Sequence, residues 1–367
     1  MGDITPNHAS TRGEAWTKAG RHLARLKPIP AWVRDFFPGY FALVMASAIV
    51  AVAARVEGYG SLSWVLFVIA TAAYPVLWVI FLVRCIAFPR LVLADLSSHR
   101  RGPTFLTIVA ATGVLGDEFG VFHFLTSLVP FLCWFGVGLW VTLVYAFLCI
   151  VTVSEVKPDL EHGLNGSWLL LPVATESLSL LFSQLVQRSG NSPALTFMAL
   201  AFYLLGAMLY VLIAALVFFR WVFRPMHPEE IGAPWWINSG AVAIATLAGA
   251  RLMLLHNTDP HLARLLEFIA PFTVLLWATS SFWMPLLALL FLWKEMHRVR
   301  HGYDAGLWSA VFPLGMYVAA THEYAAAARL PFLEPIPQVL FWLALLAWVA
   351  TFLGMGASLV RTSDASA

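Results

Sequence analysis

The sequence predicts an all-α polytopic membrane protein of ten spans, paired as five tandem helical hairpins. Three observations carry that reading. Of the 367 residues, 60% are hydrophobic and 11% are charged, whereas soluble domains carry about a quarter charged residues. Ten apolar runs are each long enough for a hydrocarbon core of about 30 Å, which takes roughly 20 helical residues. These runs also alternate in kind, small residues concentrating in the odd ones. Such a composition, with a mean hydropathy of +0.79, excludes a disordered chain, a secreted disulfide scaffold and an ordinary soluble enzyme. The net charge of +2 is too even for a nucleic-acid footprint. Cys85, Cys133 and Cys149 all lie in apolar runs, where a thiol acts as a small hydrophobe.

Residues 1–35 carry Arg12, Lys18, Arg21, Arg25, Lys27 and Arg34 without an apolar core of signal-peptide length, so they read as a polar cytoplasmic tail. Residues 36–359 form one transmembrane domain, and 360–367 a second short cytoplasmic tail. Charges and Pro/Gly clusters cut the domain into spans at 38–54, 62–86, 103–121, 124–152, 166–187, 194–223, 235–252, 264–293, 306–328 and 336–359. The first is short and rich in small residues. Several even spans exceed a straight crossing and contain Pro75, Pro130, Pro271 and Pro285, which predicts tilt or kinks. The segment Glu155 to His162 holds metal-capable residues but reads as a solvated charged loop.

With the N-terminus inside, 17 of the 22 Lys and Arg fall on the inner side, and Arg55, Arg188, Arg251, Arg264 and Arg329 on the outer. That asymmetry places both termini in the cytoplasm. Small residues make up 33 of 86 positions in the cores of the odd spans and 25 of 131 in the even. Since Gly, Ala and Ser permit close helix approach, the odd helices are expected around an axis and the even ones against lipid or neighbouring subunits. A central pathway follows; close packing with no pathway is the competing reading.

In the fifth span Pro172, Glu176, Ser179 and Ser183 share one helical face, with Glu176 near the midplane. Intramembrane carboxylates are costly and usually functional; a structural glutamate held by Asn238 or a Trp indole is the alternative. In the ninth span Phe312, Gly315, Ala319 and Glu323 form a stripe beside Pro313, an aromatic plug flanked by small residues. His322 and Glu323 are expected at the outer mouth with Asp117, Glu118 and Arg251, as a relay or as a satisfied interface. Asn238 in the seventh span and Thr112 in the third complete the expected lining. The span cores of the odd helices carry no midplane Lys or Arg, so an anion would meet helix ends, hydroxyls and amides. The chain has no P-loop and no paired Cys-x-x-Cys, so neither ATPase nor metalloenzyme chemistry is expected, and no cofactor.

Three segments, Phe37-Pro38-Gly39-Tyr40-Phe41, Asn165-Gly166-Ser167-Trp168-Leu169-Leu170-Leu171-Pro172 and Trp308-Ser309-Ala310-Val311-Phe312-Pro313, resemble the tellurite-resistance/C4-dicarboxylate transporter family. Its superfamily includes the plant guard-cell slow-type anion channels. The resemblance covers about 36 to 359. It implies a bacterial-type inner-membrane homotrimer whose protomers each hold five hairpins in quasi-fivefold arrangement, with odd helices lining a pore. It also implies that Phe312 occludes that pore, that Pro172 and Pro313 kink its helices, and that small anions pass through it. Glu176 and the His322-Glu323 pair depart from the plain channel pattern. They favour, as the alternative, a proton-coupled carrier of C4-dicarboxylates or sulfite-type weak acids using Glu176.

Overall fold

The computed structural model describes residues 30–190, 192–255, 260–297 and 302–364, side chains of 260–263 and 362–364 excepted. The predicted tails therefore lie mostly outside the described residues. Ala31–Arg34 form one helical turn, and the last helix continues past the expected end at 359. The described residues are helical, with no strand. Ten long helices follow the ten apolar runs: α1 Ala42–Val56, α2 Gly60–Ala87, α3 Leu106–Val121, α4 Val129–Val153, α5 Leu170–Ser189, α6 Pro193–Phe223, α7 Ile237–Met253, α8 Ile269–Met296, α9 Trp308–Ala328 and α10 Pro335–Asp364.

Every odd helix begins through a tight 3-10 turn: Pro38–Phe41, Gly102–Phe105, Gly166–Leu169, Ala233–Trp236 and Ala305–Leu307. Proline occupies the first turn of three of them, where its missing N–H costs nothing. The other two are capped by side chains, Asn165 accepting from the Ser167 amide and Asp304 from the Gly306 amide. The even helices lack this device among the described residues, apart from short turns before α4 and α10. A structural repeat thus underlies the five hairpins.

The odd helices close into a ring in which α1 packs on α3, α3 on α5, α5 on α7, α7 on α9 and α9 on α1. Their 3-10 turns form a second closed ring in the same order, so all five helices begin at one end of the molecule. Each even helix packs against its own odd partner and touches the next odd helix round the ring. Burial follows this layering. The spans containing α1, α3 and α5 are 83%, 94% and 100% buried, while those containing α2, α4, α8 and α10 are 22–28% buried and α6 50%.

Among the described residues, eight helices are long and apolar enough to cross a membrane; α7 and α9 are not among them. α7 is almost wholly buried and α9 mostly so, and both are built from small residues that suit contact with protein. Close approach within the ring depends on glycine. On α3 a Cβ at Gly113 would strike Ser177 of α5, one at Gly116 would strike Leu181, and one at Gly120 would strike Gln184.

The prolines divide differently from expectation. Pro75, Pro285 and Pro313 lie inside their helices, but Pro130 opens α4, and Pro172 and Pro271 occupy the first turns of α5 and α8. Pro172 lies three residues into α5, directly after the 3-10 turn Gly166–Leu169 that opens it.

Candidate functional site

At the end where the five helices begin lies a cavity of about 770 Å³, lined by Tyr40, Arg101, Asn165, Lys294, Tyr303 and Asp304 among others. Each helix N-terminus carries unpaired amide N–H groups and roughly half a positive charge. Five converge here. Arg100, Arg101 and Lys294 add full positive charges against Asp35 and Asp304. Arg101 is 3.2 Å from Asp95 and lies over the Phe37 ring; Lys294 lies over Phe291. The sequence reading missed this vestibule because its residues come from five separate loop-and-turn segments and from α8 and α10.

At the opposite end a polar brace crosses the ring. Arg251 of α7 approaches Glu323 of α9, Nε to Oε1 3.1 Å, in ion-pair contact without hydrogen-bond geometry. Its Nη2 is 3.9 Å from Asp117 of α3. The Gln184 amide of α5 donates to Asp117 at 2.8 Å. Because α3 and α7 are not neighbours in the ring, the Arg251–Asp117 contact spans its interior. A cavity of about 420 Å³ opens beside this brace, bounded by Gly120, His123, Gln184, Arg188, Arg251 and Glu323. Of the five residues expected at the outer mouth, Asp117, Arg251 and Glu323 thus come together. Gln184 was missed, although a lone amide near the end of an apolar span is a readable signal.

Between the two ends stands Phe312, 1% exposed. A Cβ at Gly240 of α7 would lie 2.8 Å from Pro313 Cγ and 3.2 Å from the Phe312 ring, so glycine there makes room for both. Gly240→Ala is expected to destabilise the protein by about 1–3 kcal/mol, the usual cost of overpacking. Thermal unfolding of the purified protein checks this, and an unchanged midpoint would show that the ring yields freely.

The other expected lining residues point elsewhere. Ser179 Oγ donates to the Ala199 carbonyl of α6. Glu176 sits where a Cβ at Gly206 of α6 would strike its carboxylate. Both therefore occupy the α5–α6 seam rather than the inner wall of the ring. Ser183 donates to Ser179 within α5. Thr112 turns outward to the Tyr74 hydroxyl of α2, 2.6 Å away. Gly315 faces Ile49 and Val50 of α1. Asn238 and Glu118 are fully buried with no side-chain hydrogen-bond partner among the described residues. Neither Asn238 nor a Trp indole holds Glu176 among the described residues; the group that faces its carboxyl is the backbone of Ala207 on α6. His322 leaves the brace and meets Glu57 and Glu334 instead. An apolar seam holding a carboxyl with no side-chain partner gains from a neutral isostere, so Glu176→Gln is expected to keep or raise the unfolding midpoint. A fall of several degrees would reveal a side-chain partner for the carboxylate.

Residues 35–356 match the family model described as voltage-dependent anion channel. The chain belongs to the voltage-dependent anion channel family. Members of that family are channels and transporters of the membrane. Two uncharacterized transporters of Methanocaldococcus jannaschii align along nearly the whole chain. One is 26% identical over 343 residues, covering 88% of this chain and 92% of the relative. The other is 23% identical over 334 residues, covering 88% and 94%. An uncharacterized membrane protein of Mycobacterium tuberculosis is 38% identical over 149 residues, 40% of this chain and 75% of its own. In this member of the voltage-dependent anion channel family, the positive vestibule, the buried phenylalanine and the charged brace lie in sequence along one ring of helices.

Proposed function

We propose that small inorganic or organic anions pass along the axis of the inner ring, from the vestibule to the brace, and that Phe312 is the gate. The observation that carries this is a register shared by four helices. Asp117, Gln184, Arg251 and Glu323 meet in or beside the ring. Eleven residues earlier on the same helices, about three turns and hence the same face, stand Leu106, Val173, Gly240 and Phe312. All four are buried. They make an apolar layer, the barrier that a partly dehydrated anion must cross. The five helix N-termini attract the anion to that layer, and no midplane cation holds it there, which supports fast, weak passage.

In this reading α7 and α9 also cross the bilayer, making ten spans in the plasma membrane with both termini cytoplasmic. Protomers associate as a homotrimer through the apolar outer helices, each with its own path. Proteoliposomes loaded separately with chloride, nitrate, sulfite and succinate, with and without a proton gradient, test the proposal. Gradient-independent flux of the small anions is expected. Succinate or sulfite movement that requires protons would replace the channel with a coupled carrier using Glu176, a reading to which the buried carboxyl with no side-chain partner lends its support. No flux of any of the four would overturn both.

A further inference from the structure

We propose that Glu57, His322 and Glu334 form a binding site for a divalent first-row transition-metal ion, represented by Zn²⁺. The three residues come from different elements. Glu57 ends α1, His322 lies on α9, and Glu334 immediately precedes α10. His322 Nδ1 is 3.1 Å from Glu334 Oε2 and 3.7 Å from Glu57 Oε1. One ligand atom from each residue lies within 4.8 Å of the others. Around a single zinc ion at about 2.0–2.2 Å from each ligand, donor atoms stand roughly 3–4 Å apart. Small side-chain rotations close the difference.

Two features beyond proximity point to a cation. The Glu57 side chain is 6% exposed, and its Oε1, aimed at His322, has no hydrogen-bond partner. Two carboxylates also share one imidazole, and among the described residues neither has a Lys or Arg ion-pair partner. A divalent ion supplies the missing positive charge and neutralises both carboxylates. The imidazole donor selects against Ca²⁺ and Mg²⁺, which take oxygen ligands, and in favour of Zn²⁺, Co²⁺ or Ni²⁺. His322 and Glu334 are 28% and 31% exposed, which leaves an approach for the ion and room for water as a fourth ligand.

The bound ion would tie α1, α9 and α10 at the seam where the inner ring closes. It would also sit one residue from Glu323 of the brace. This inference is independent of whether anions cross the ring.

Untagged full-length protein, stripped with chelator and purified in detergent, provides the test. Zn²⁺ is expected to raise the unfolding midpoint saturably by about 2 °C or more, and equal Mg²⁺ or Ca²⁺ to leave it unchanged. Co²⁺ should give visible absorption bands that Zn²⁺ displaces. His322→Ala and Glu334→Gln change partly exposed side chains, so both should fold, and both should lose the Zn²⁺ shift and the Co²⁺ bands. Absence of a saturable Zn²⁺ effect on the wild type, or a full effect in either variant, would overturn the proposal.

Discussion

Phe312→Ala is expected to raise anion flux through proteoliposomes at least several-fold, because the side chain that fills the apolar layer is removed while the helices around it stay in place. Each 1.4 kcal/mol taken off the barrier is about tenfold in rate. A benzyl group that forces an anion to shed water contributes on that scale in a low-dielectric site. The ring lies in space kept by Gly240. Truncation also leaves a cavity, which costs about 3–5 kcal/mol in a well-packed core. Size-exclusion profiles must therefore match before fluxes are compared. Correctly assembled Phe312→Ala protein with wild-type flux would remove Phe312 from the gate.

The second large effect is expected at Arg251. Its guanidinium is 12% exposed and faces Asp117 and Glu323, themselves 2% and 19% exposed. Removing one partner of a buried charge cluster typically costs about 3–5 kcal/mol, since it strands the opposite charges in a poorly solvated site. In Arg251→Ala two carboxylates would face the path with no counter-ion. At an effective dielectric constant of about 20, a like charge about 4 Å away repels an anion by roughly 4 kcal/mol. Arg251→Ala should therefore lower both the unfolding midpoint and the flux, even when combined with Phe312→Ala. Glu323→Gln should act oppositely on flux, because it lessens the negative charge and frees part of the guanidinium. Wild-type stability and flux in Arg251→Ala would show that the brace neither holds the ring nor borders the path.

Much of the architecture was legible because it rests on properties of single segments. Hydropathy locates the ten runs, and all ten are helices within a few residues of the expected limits. Small-residue density separates inner from outer helices, since close packing against protein and contact with lipid demand different side chains. The burial of α1, α3 and α5 against the exposure of α2, α4, α8 and α10 follows that division. Membership of the voltage-dependent anion channel family was legible too, from three short segments near the starts of odd spans. Two of those segments coincide with 3-10 turns that recur at the head of every odd helix, and the third follows one directly.

The candidate site was legible only in part, and α5 shows why. Pro172, Glu176, Ser179 and Ser183 do share a face, but periodicity states only which residues point the same way. Which neighbour they meet depends on how the helix is rotated about its axis. That rotation is set by pairs distant in sequence: Ser177 against Gly113 on one side, Glu176 against Gly206 on another. The same ambiguity sent Thr112 to Tyr74 and Gly315 to α1, whereas Arg251, Glu323 and Asp117, which lie towards helix ends where charge gathers, do approach one another. His322 and Glu323 are adjacent in sequence yet about 100° apart round the helix, so one joins the brace and the other joins Glu57 and Glu334. The sequence by itself determined where the ten long helices form and which of them are buried, because those depend on side-chain chemistry summed along each segment. Only the tertiary structure decided which faces look inward, because that is a property of contacts between helices far apart in the chain.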